Sequence, residues 1–505
     1  MIKLIYRIES DYMSKKRMLI VTSVTLSVVT ISLGIVKLYQ TYALSNYIGT
    51  VTDTGIDVYI NDDSYASIPA NGSSNVYYML TNTNPGTVKY GVAYQTTSGV
   101  TVKVYDTSED PATGTIEEND KKYIKLHLEN KNSTNKTIEL STVLGYENGG
   151  DLVVPSGVTL VTDTYTPPPT AAEYITKLYT TASKTTVTNN SITYNTAPSV
   201  SLMNDRLGGT TTDLDGGNIR YYGASPNNYI YFNCSDYSNQ TSSTCETWRI
   251  IGVFDGKLKL IRGSQIGKYS WDNKNTSTGA ENDAGKNDWT TARLMKLLNP
   301  SDYYTTDSND NNLGQGLYYN SASGKCYSGQ NNATVDCNFT STGIKNDITR
   351  NMIAETTYNL GGWNSNTVYP NLMYEKERGT TVYTGRPTTP WTGKIALAYT
   401  SDYGYAADLN QCKDKTLYDY NNSTCTSNNW MKAIITNNGR NSGWLLTPYC
   451  STSSNVWYVY PVGNVYFNYT VYSAFGAVPV LSLSSELGIE SGGDGSSSNP
   501  YKLSA

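Results

Sequence analysis

The stretch WRIIGVFDGKLKLIRG, residues 248–263, decides the fold of the longer part of this chain. Two apolar runs, beginning at Trp248 and at Leu258, stand on either side of Asp255-Gly256. An Asp-Gly pair between two apolar runs is typical of a β-hairpin with a two-residue turn, because both turn positions need positive φ. The stretch therefore predicts two adjacent antiparallel strands.

Helical patterns follow this hairpin at irregular intervals. NDWTTARLMKLLNP predicts a helix that begins at Trp289, with an Asn or Asp cap before it, and ends at Asn299. IKNDITRNMIAETTYNLGG, from Ile344, predicts a second helix with Gly361 near its C-cap. Because these helices interrupt the strands without a repeating βαβ order, residues 184–490 are predicted to form an α+β domain.

A separate all-β domain is expected upstream, over residues 45–165. About seven short strands with turn signals between them are typical of an immunoglobulin-like sandwich. YIKLHL, from Tyr123, alternates strictly and places His127 on the polar face of its strand, where we expect it to be solvated. Residues 166–183 are predicted as a proline linker with a short helix from Ala171, and residues 491–505 as a tail.

The N-terminus carries a candidate membrane segment. Residues 1–17 are basic and are expected in the cytoplasm, and Met18–Val36 follows without a charge. Nineteen helical residues nearly cross a hydrocarbon core of about 30 Å. Residues 18–40 are therefore predicted as a single-pass anchor with the bulk of the chain extracellular. The small residues Thr41 and Ala43, at −3 and −1 of a possible cut after Ala43, keep open a cleaved signal and a secreted protein.

Composition excludes several classes of function. The net charge is −5 and no long basic run occurs beyond the N-terminus, so nucleic acid is not an expected partner. His127 is the only histidine, which removes histidine-dependent triads and histidine-ligated metal sites. No phosphate loop or dinucleotide motif occurs. We therefore predict no cofactor and no metal.

Cysteine spacing agrees with export. Six of the seven cysteines fall into local pairs with ten, ten and twelve residues between their members. We expect these pairs to be disulfides that close polar surface loops, because zinc sites have closer spacing and usually include histidine. The seventh, Cys450, is expected to be a buried thiol rather than a nucleophile. The three predicted pairs are Cys234 with Cys245, Cys326 with Cys337, and Cys412 with Cys425.

Three motifs in order resemble a known architecture. They are CETWRIIGVFDGKLKLIRGSQIGKYSWDN from Cys245, NDWTTARLMKLLNP, and the segment Gly443–Ser485 that begins GWLLTPYC. Together they are similar to an uncharacterised bacterial extracellular domain related to the C-type-lectin-like fold of formylglycine-generating (sulfatase-modifying-factor) proteins. The sequence departs from that pattern at Val478, where an Arg is expected. A role carried by that Arg is therefore lost or supplied elsewhere.

The segment NVWYVYPVGNVYFNYTVY is dense in aromatic side chains. Rings flanked by amides and hydroxyls stack on sugar rings or form protein-binding surfaces. The alternative is that alternate aromatic residues fill the core, which we weigh at least equally for Trp457 and Tyr460 and favour for Trp444. The residues predicted to bind a ligand are Tyr458, Tyr466, Tyr469, Tyr472, Asn464 and Asn468.

Two functions from different classes follow. The favoured function is a non-enzymatic cell-surface protein that binds the membrane through its N-terminal helix and displays a disulfide-stabilised lectin-like domain. Its expected partner is a surface glycan or protein, bound for adhesion or ligand capture. The alternative is an extracellular enzyme of formylglycine-generating or hydrolase type. The resemblance implies that the first type needs a pair of cysteines in its active site, whereas here six cysteines are predicted to form disulfides.

Overall fold

A computed structural model divides the chain into two compact units, Met1–Pro167 and Pro168–Ala505. The predicted anchor Met18–Val36 and the predicted cleavage point at Ala43 lie outside the described residues. Within the described part, no helix combines the length and apolar character needed to cross a bilayer. The structure describes residues 56–60, 65–82, 86–146, 152, 154–273, 284–303, 314–329, 333–365, 367–383, 386–387 and 390–504.

The first unit consists of two β-sheets around a shared apolar core. Its described strands are β1 (Ile56–Ile60), β2 (Tyr65–Ile68), β3 (Gly72–Asn82), β4 (Val88–Gln95), β5 (Val100–Tyr105), β6 (Thr113–Ile116), β7 (Lys121–Asn130), β8 (Lys136–Tyr146), β9 (Val158–Leu160) and β10 (Thr164–Tyr165). One sheet has the order β1-β3-β7-β5-β10, and the other has the order β2-β8-β4-β6 with β9 beside β4. Alternate residues such as Tyr78 on β3 and Tyr90 on β4 fill the core between them. This confirms the predicted all-β character of the segment.

The expectation that His127 is solvated is wrong. Its ring is only 6% exposed, stacks on Tyr165 at 3.6 Å between centroids, and shares a 2.9 Å hydrogen bond with Asn75. Burial lowers the pKa of His127. The covering strand β10 lies far along the chain, so the alternation within β7 alone contains no sign of it.

The second unit has two larger sheets and several two-stranded ribbons. Its described strands are β11 (Thr185–Asn189), β12 (Ile192–Ala197), β13 (Leu202–Asn204), β14 (Ile219–Tyr221), β15 (Tyr229–Phe232), β16 (Glu246–Phe254), β17 (Lys257–Arg262), β18 (Gly267–Tyr269), β19 (Ser323–Tyr327), β20 (Thr334–Asn338), β21 (Thr356–Tyr358), β22 (Thr381–Tyr383), β23 (Arg386–Pro387), β24 (Trp391–Gly393), β25 (Ile395–Ala396), β26 (Gly443–Pro448), β27 (Val456–Val459), β28 (Val465–Tyr466), β29 (Phe475–Ala477), β30 (Val480–Ser482), β31 (Gly488–Ile489) and β32 (Leu503–Ser504). The larger sheet has the order β11-β12-β13-β14-β16-β17-β30-β25 with β15 beside β16, and the smaller has the order β18-β29-β26-β27-β28.

Short helices connect these strands. The described α-helices are α1 (Ala171–Thr181), α2 (Arg206–Gly209), α3 (Arg293–Leu298), α4 (Asp347–Met352), α5 (Pro370–Glu377), α6 (Thr400–Tyr405), α7 (Ser423–Ser427) and α8 (Trp430–Ile435). Single 3₁₀ turns occur at Pro198–Val200, Ser301–Tyr303 and Leu417–Asn421. The unit is therefore mainly β, with helices inserted between strands.

The predicted hairpin is confirmed as β16 and β17. Asp255 and Gly256 form its turn with φ values of 49° and 69°. A bulge at Ile251 adds one residue to β16 and changes the phase of its alternation. Consequently, Ile250 and Val253 both contact one apolar cluster, while Ile251 contacts the cluster on the opposite face. The centre of the larger sheet is therefore buried on both faces.

Both predicted helices are shorter than expected. The helix α3 begins at Arg293 rather than Trp289, because Asp288 accepts hydrogen bonds from the N–H and hydroxyl of Thr290 and so caps a separate turn. It ends before Asn299, as predicted. The helix α4 ends at Met352, and Gly361 is not its cap, because the chain continues into β21, which pairs with β24.

The ends of the second unit are packed into it. Thr170 and Glu173 form a capping box at the start of α1, and Ile175 of this helix is fully buried in the core of the second unit. At the other end, β32 pairs with β31, and Tyr501 is buried in the same core. The short helix expected in a linker, and residues 491–504 of the segment expected as a tail, are thus parts of this unit.

Candidate functional site

Three disulfides tie surface loops of the second unit. They are the predicted pairs Cys234–Cys245, Cys326–Cys337 and Cys412–Cys425, with sequence separations of 11, 11 and 13 residues. Such bridges stabilise a fold by about 2–4 kcal/mol each in general, chiefly by restricting the unfolded chain. Cys450 takes part in none of them and is half-buried. Burial raises the pKa of its thiol to about 11, which disfavours the nucleophilic thiolate at neutral pH.

The aromatic-rich segment of the sequence forms a hairpin at one edge of the smaller sheet. Strands β27 and β28 pair in antiparallel register, with Tyr458 opposite Tyr466. The turn between them is closed by two backbone hydrogen bonds, from Tyr460 to Asn464 at 2.9 Å and from Gly463 to Tyr460 at 2.8 Å. Gly463 has a φ of 107°, which glycine adopts without steric cost.

The hairpin buries two of the six residues predicted to bind a ligand. Tyr458 is fully buried, and its hydroxyl donates to the side-chain oxygen of Asn468. Burial raises the pKa of Tyr458. Asn464 is 8% exposed and is part of the turn itself. The side chain of Tyr458 does not face a ligand, because both faces of β27 are covered by apolar clusters. Asn464 lies outside that strand, but it is buried as well.

The other predicted residues lie at or near the surface. Tyr469 is 46% exposed, Asn468 is exposed, and Tyr466 and Tyr472 are half-buried. Tyr466 and Tyr469 both contact the ring of the buried Tyr458, at centroid distances of 6.2 and 5.7 Å. The ring of Tyr458 thus supports both from beneath.

A residue that the sequence did not single out extends this patch. Tyr418, on the 3₁₀ turn Leu417–Asn421, is 38% exposed, and its ring lies 5.5 Å from that of Tyr466. We call Tyr418, Tyr466, Asn468 and Tyr469 the aromatic surface. Tyr418 lies inside the loop closed by Cys412–Cys425. An aromatic residue in a polar, disulfide-closed loop was the sequence feature that could have predicted its exposure.

The aromatic surface rests on a rigid base. Trp444, buried as predicted, donates its indole N–H to the carbonyl of Tyr269 at 2.8 Å and packs on Phe475 at 4.5 Å between centroids. Phe475 in turn lies 5.2 Å from Tyr469. Packed rings lose little further conformational entropy when they bind, which favours recognition by stacking.

Exposed residues at the hairpin turn adjoin this surface. Tyr460 is 44% exposed and Val462 is 51% exposed, so the turn presents one ring and one aliphatic side chain to solvent. Trp457, by contrast, is fully buried. The sequence did not decide whether Trp457 and Tyr460 are core residues or surface residues. The structure places Trp457 in the core and Tyr460 at the surface.

Val478, at the position where the resembled pattern has an arginine, is part of the core. Val478 is 2% exposed and packs in the apolar cluster that also contains Trp457 and Val480. The position is thus occupied by a well-packed aliphatic side chain between β29 and β30. It supplies no polar group to the aromatic surface.

Comparison with known protein families and with curated protein sequences gives no match for this chain. The resemblance to the C-type-lectin-like and formylglycine-generating fold therefore stays a hypothesis. What the structure shows is a mostly β, disulfide-containing architecture that is consistent with an extracellular domain.

Proposed function

We propose that this chain is a non-enzymatic surface protein that binds a glycan or protein ligand through the aromatic surface. One observation carries the proposal, namely that Tyr418 and Tyr469 present large exposed rings on a disulfide-tied scaffold. Tyrosine is enriched in binding surfaces because it combines stacking area with a hydroxyl that hydrogen-bonds. The exposed Asn468, which accepts a hydrogen bond from Tyr458 beneath this surface, adds a polar group of the kind that fixes a ligand's orientation.

A location outside the cytoplasm is part of this proposal. Disulfides persist in oxidising compartments and are rare where thiols are kept reduced. The uncharged segment Met18–Val36, with basic residues before it, supports an anchor that leaves both units outside the cell. The second unit follows the first along the chain, and under this proposal it is displayed outside the cell, where a partner can reach it. A C-type-lectin-like fold for the second unit is part of the same hypothesis.

The enzyme alternative has less support. An active site with two reactive cysteines needs thiols close together, whereas six of the seven cysteines form disulfides. The raised pKa of the Cys450 thiol, which burial brings to about 11, opposes its use as a nucleophile. The only histidine, His127, is buried in the first unit.

Attachment by cells that display the full chain tests the proposal. The Tyr418→Ser/Tyr469→Ser double variant removes two exposed rings without touching the supporting Tyr458. We expect at least a tenfold loss of binding to glycan or host-protein arrays, because stacking area is lost while the fold persists. Surface labelling with an antibody to the first unit verifies equal display.

The matched control is Tyr65→Ser, which removes a tyrosine that is 51% exposed in the first unit. Its binding should equal that of the unmodified chain. If the double variant attaches as well as the control, the aromatic surface is not the binding site and the proposal fails.

A further inference from the structure

A second surface feature of the second unit is an open cleft of about 490 Å³. One wall comes from β16 and β17, which contribute Glu246, Arg249 and Arg262, and the opposite wall is the helix α8, which contributes Trp430 and Ala433. This cleft contains none of the residues of the aromatic surface. It therefore constitutes an independent candidate site.

Arg249 is the unusual residue of this cleft. Only 6% of it is exposed, and its guanidinium packs on two rings, 3.6 Å from the centroid of Tyr229 and 4.9 Å from that of Trp430. Its Nε donates to the side-chain oxygen of Asn228, and one Nη donates to the carbonyl of Pro226 at 3.2 Å. These contacts fix the orientation of the planar group.

The position of Asn228 is fixed as well. This residue is fully buried, and its amide nitrogen donates to the carbonyl of Ile250 at 2.7 Å, which directs its oxygen towards Arg249. On the other side, the indole N–H of Trp430 donates to the carbonyl of Tyr221 at 3.0 Å. The guanidinium is thus held in place by groups that are themselves anchored.

Among the described residues, Arg249 has no counter-ion, unlike the buried cations Arg220 and Arg262. Arg220 pairs with Asp402 at 2.8 Å, and Arg262 pairs with Glu246 at 3.0 Å. Within the described residues, no carboxylate forms an ion pair with Arg249, whose partners are two rings and two neutral oxygens. Burial lowers its pKa to about 10, still well above neutral pH. A buried charge without a partner is costly, so a ligand that supplies the opposite charge is stabilising.

The charge of the cleft selects the class of anion. Glu246 neutralises Arg262, since Oε2 lies 3.0 Å from Nε and Oε1 lies 3.3 Å from Nη2. One net positive charge remains, on Arg249. A planar carboxylate matches both this single charge and the flat guanidinium, whereas a phosphate dianion would stay under-neutralised beside Glu246.

The rim of the cleft indicates what bears the carboxylate. Thr247, Ser264 and Asn438 line it with exposed hydroxyl and amide groups. Such groups hydrogen-bond to a hydroxylated ligand. We propose that this cleft binds an acidic saccharide, with the sugar carboxylate on Arg249 and the sugar hydroxyls on the rim.

Calorimetric titration of the purified full chain tests this site with four probes: sodium glucuronate, glucose, glucose 6-phosphate and acetate. We expect glucuronate to bind at least tenfold more tightly than each of the others. Glucose lacks the carboxylate, acetate lacks the hydroxyls, and the phosphate ester has the wrong charge. Equal binding of glucose and glucuronate would overturn the role of Arg249, and acetate as tight as glucuronate would overturn the saccharide assignment.

Three variants complete the test. Arg249→Met keeps the aliphatic stem and should weaken glucuronate binding at least tenfold. Ala433→Trp changes an exposed wall residue, should fill the cleft without altering a charge, and should cause a similar loss. Tyr65→Ser, which removes an exposed tyrosine of the first unit, should bind glucuronate normally. Undiminished binding by a folded Ala433→Trp chain would contradict the proposal even if Arg249→Met fails to fold.

Discussion

Asp402 compensates two buried cations at once, so the interior of the second unit depends on its charge. Its two oxygens accept from Arg220 at 2.8 Å and from Lys259 at 2.5 Å, and Arg220 also pairs with Asp205. Each of these side chains is almost completely buried. Removing one partner from such a cluster leaves an uncompensated charge in a medium of low polarity.

The variant Asp402→Asn should therefore lower the free energy of unfolding of the second unit by about 3–5 kcal/mol at pH 7. Urea titration followed by tryptophan fluorescence measures this change. The control is Asp347→Asn, whose carboxylate also pairs with an arginine at 2.7 Å but is 88% exposed, and it should cost at most about 1 kcal/mol. Similar losses in the two variants would contradict the importance of burial.

The same residue predicts a pH dependence. Burial acts to raise the pKa of Asp402, but the charges of Lys259 and Arg220 outweigh it and lower the pKa to about 2. The ordinary value is about 3.9, so its stabilising contribution is complete above that pH and is lost as the pH falls towards 2. Stability of the unmodified chain should decline over this range more steeply than that of Asp402→Asn.

At the scale of elements, the hairpin of β16 and β17 tests how far backbone conformation alone determines stability. Gly256 has a φ of 69°, and a Cβ added there meets no atom within 4 Å. The variant Gly256→Ala should thus destabilise by about 1 kcal/mol through backbone strain without a clash. Gly256→Asn should lose less, because asparagine tolerates positive φ, and thermal unfolding distinguishes the two. Equal stability of both variants with the original would show that the turn is not strained.

The same elements show what sequence patterns can and cannot predict. The hairpin and the three disulfides were predictable because their partners are close in the chain, and the turn chemistry and spacing are local. The start of α3 was missed because Asp288 caps a separate turn before the helix, whereas the N-cap of the helix itself, Ala292, makes no side-chain capping bond and so leaves no signal in the sequence. The pairing of β17 with β30 joins segments more than two hundred residues apart, and no local pattern specifies it.

The candidate site was predicted only in part for the same reason. Tyr469 and Asn468 are exposed as expected, but Tyr458 lies in the core, since alternation indicates a solvent face only when a sheet has one. Tyr418 reaches Tyr466 through tertiary structure, so its place beside the hairpin has no signal in the aromatic-rich segment. Arg249 likewise gave no sequence signal of its own, because only the three-dimensional arrangement shows that no described carboxylate pairs with it.

At the scale of the whole molecule, each unit has its own apolar core. The cluster containing Tyr78 and Leu126 draws only on the first unit, and the cluster containing Ile175 and Trp248 draws only on the second. A chain restricted to residues 168–505 should therefore fold alone and form all three disulfides. A cooperative thermal transition with a non-reducing peptide map checks this, and a fragment restricted to 184–505 is the informative comparison. That shorter fragment lacks α1 and should be less stable, and equal stability would contradict the packing of Ile175.

The order of the disulfides along the chain also determines whether non-native pairs can form while the chain is being synthesised. Six cysteines allow 15 pairings, yet each bridge here joins a cysteine to the next one along the chain, within 11 to 13 residues. In a chain that emerges N-terminus first, Cys234 meets Cys245 before Cys326 has appeared, and the same order holds for the later pairs. Cys450 emerges last, when no earlier thiol is left to capture. Oxidation in order of appearance therefore yields the native pairing without reshuffling.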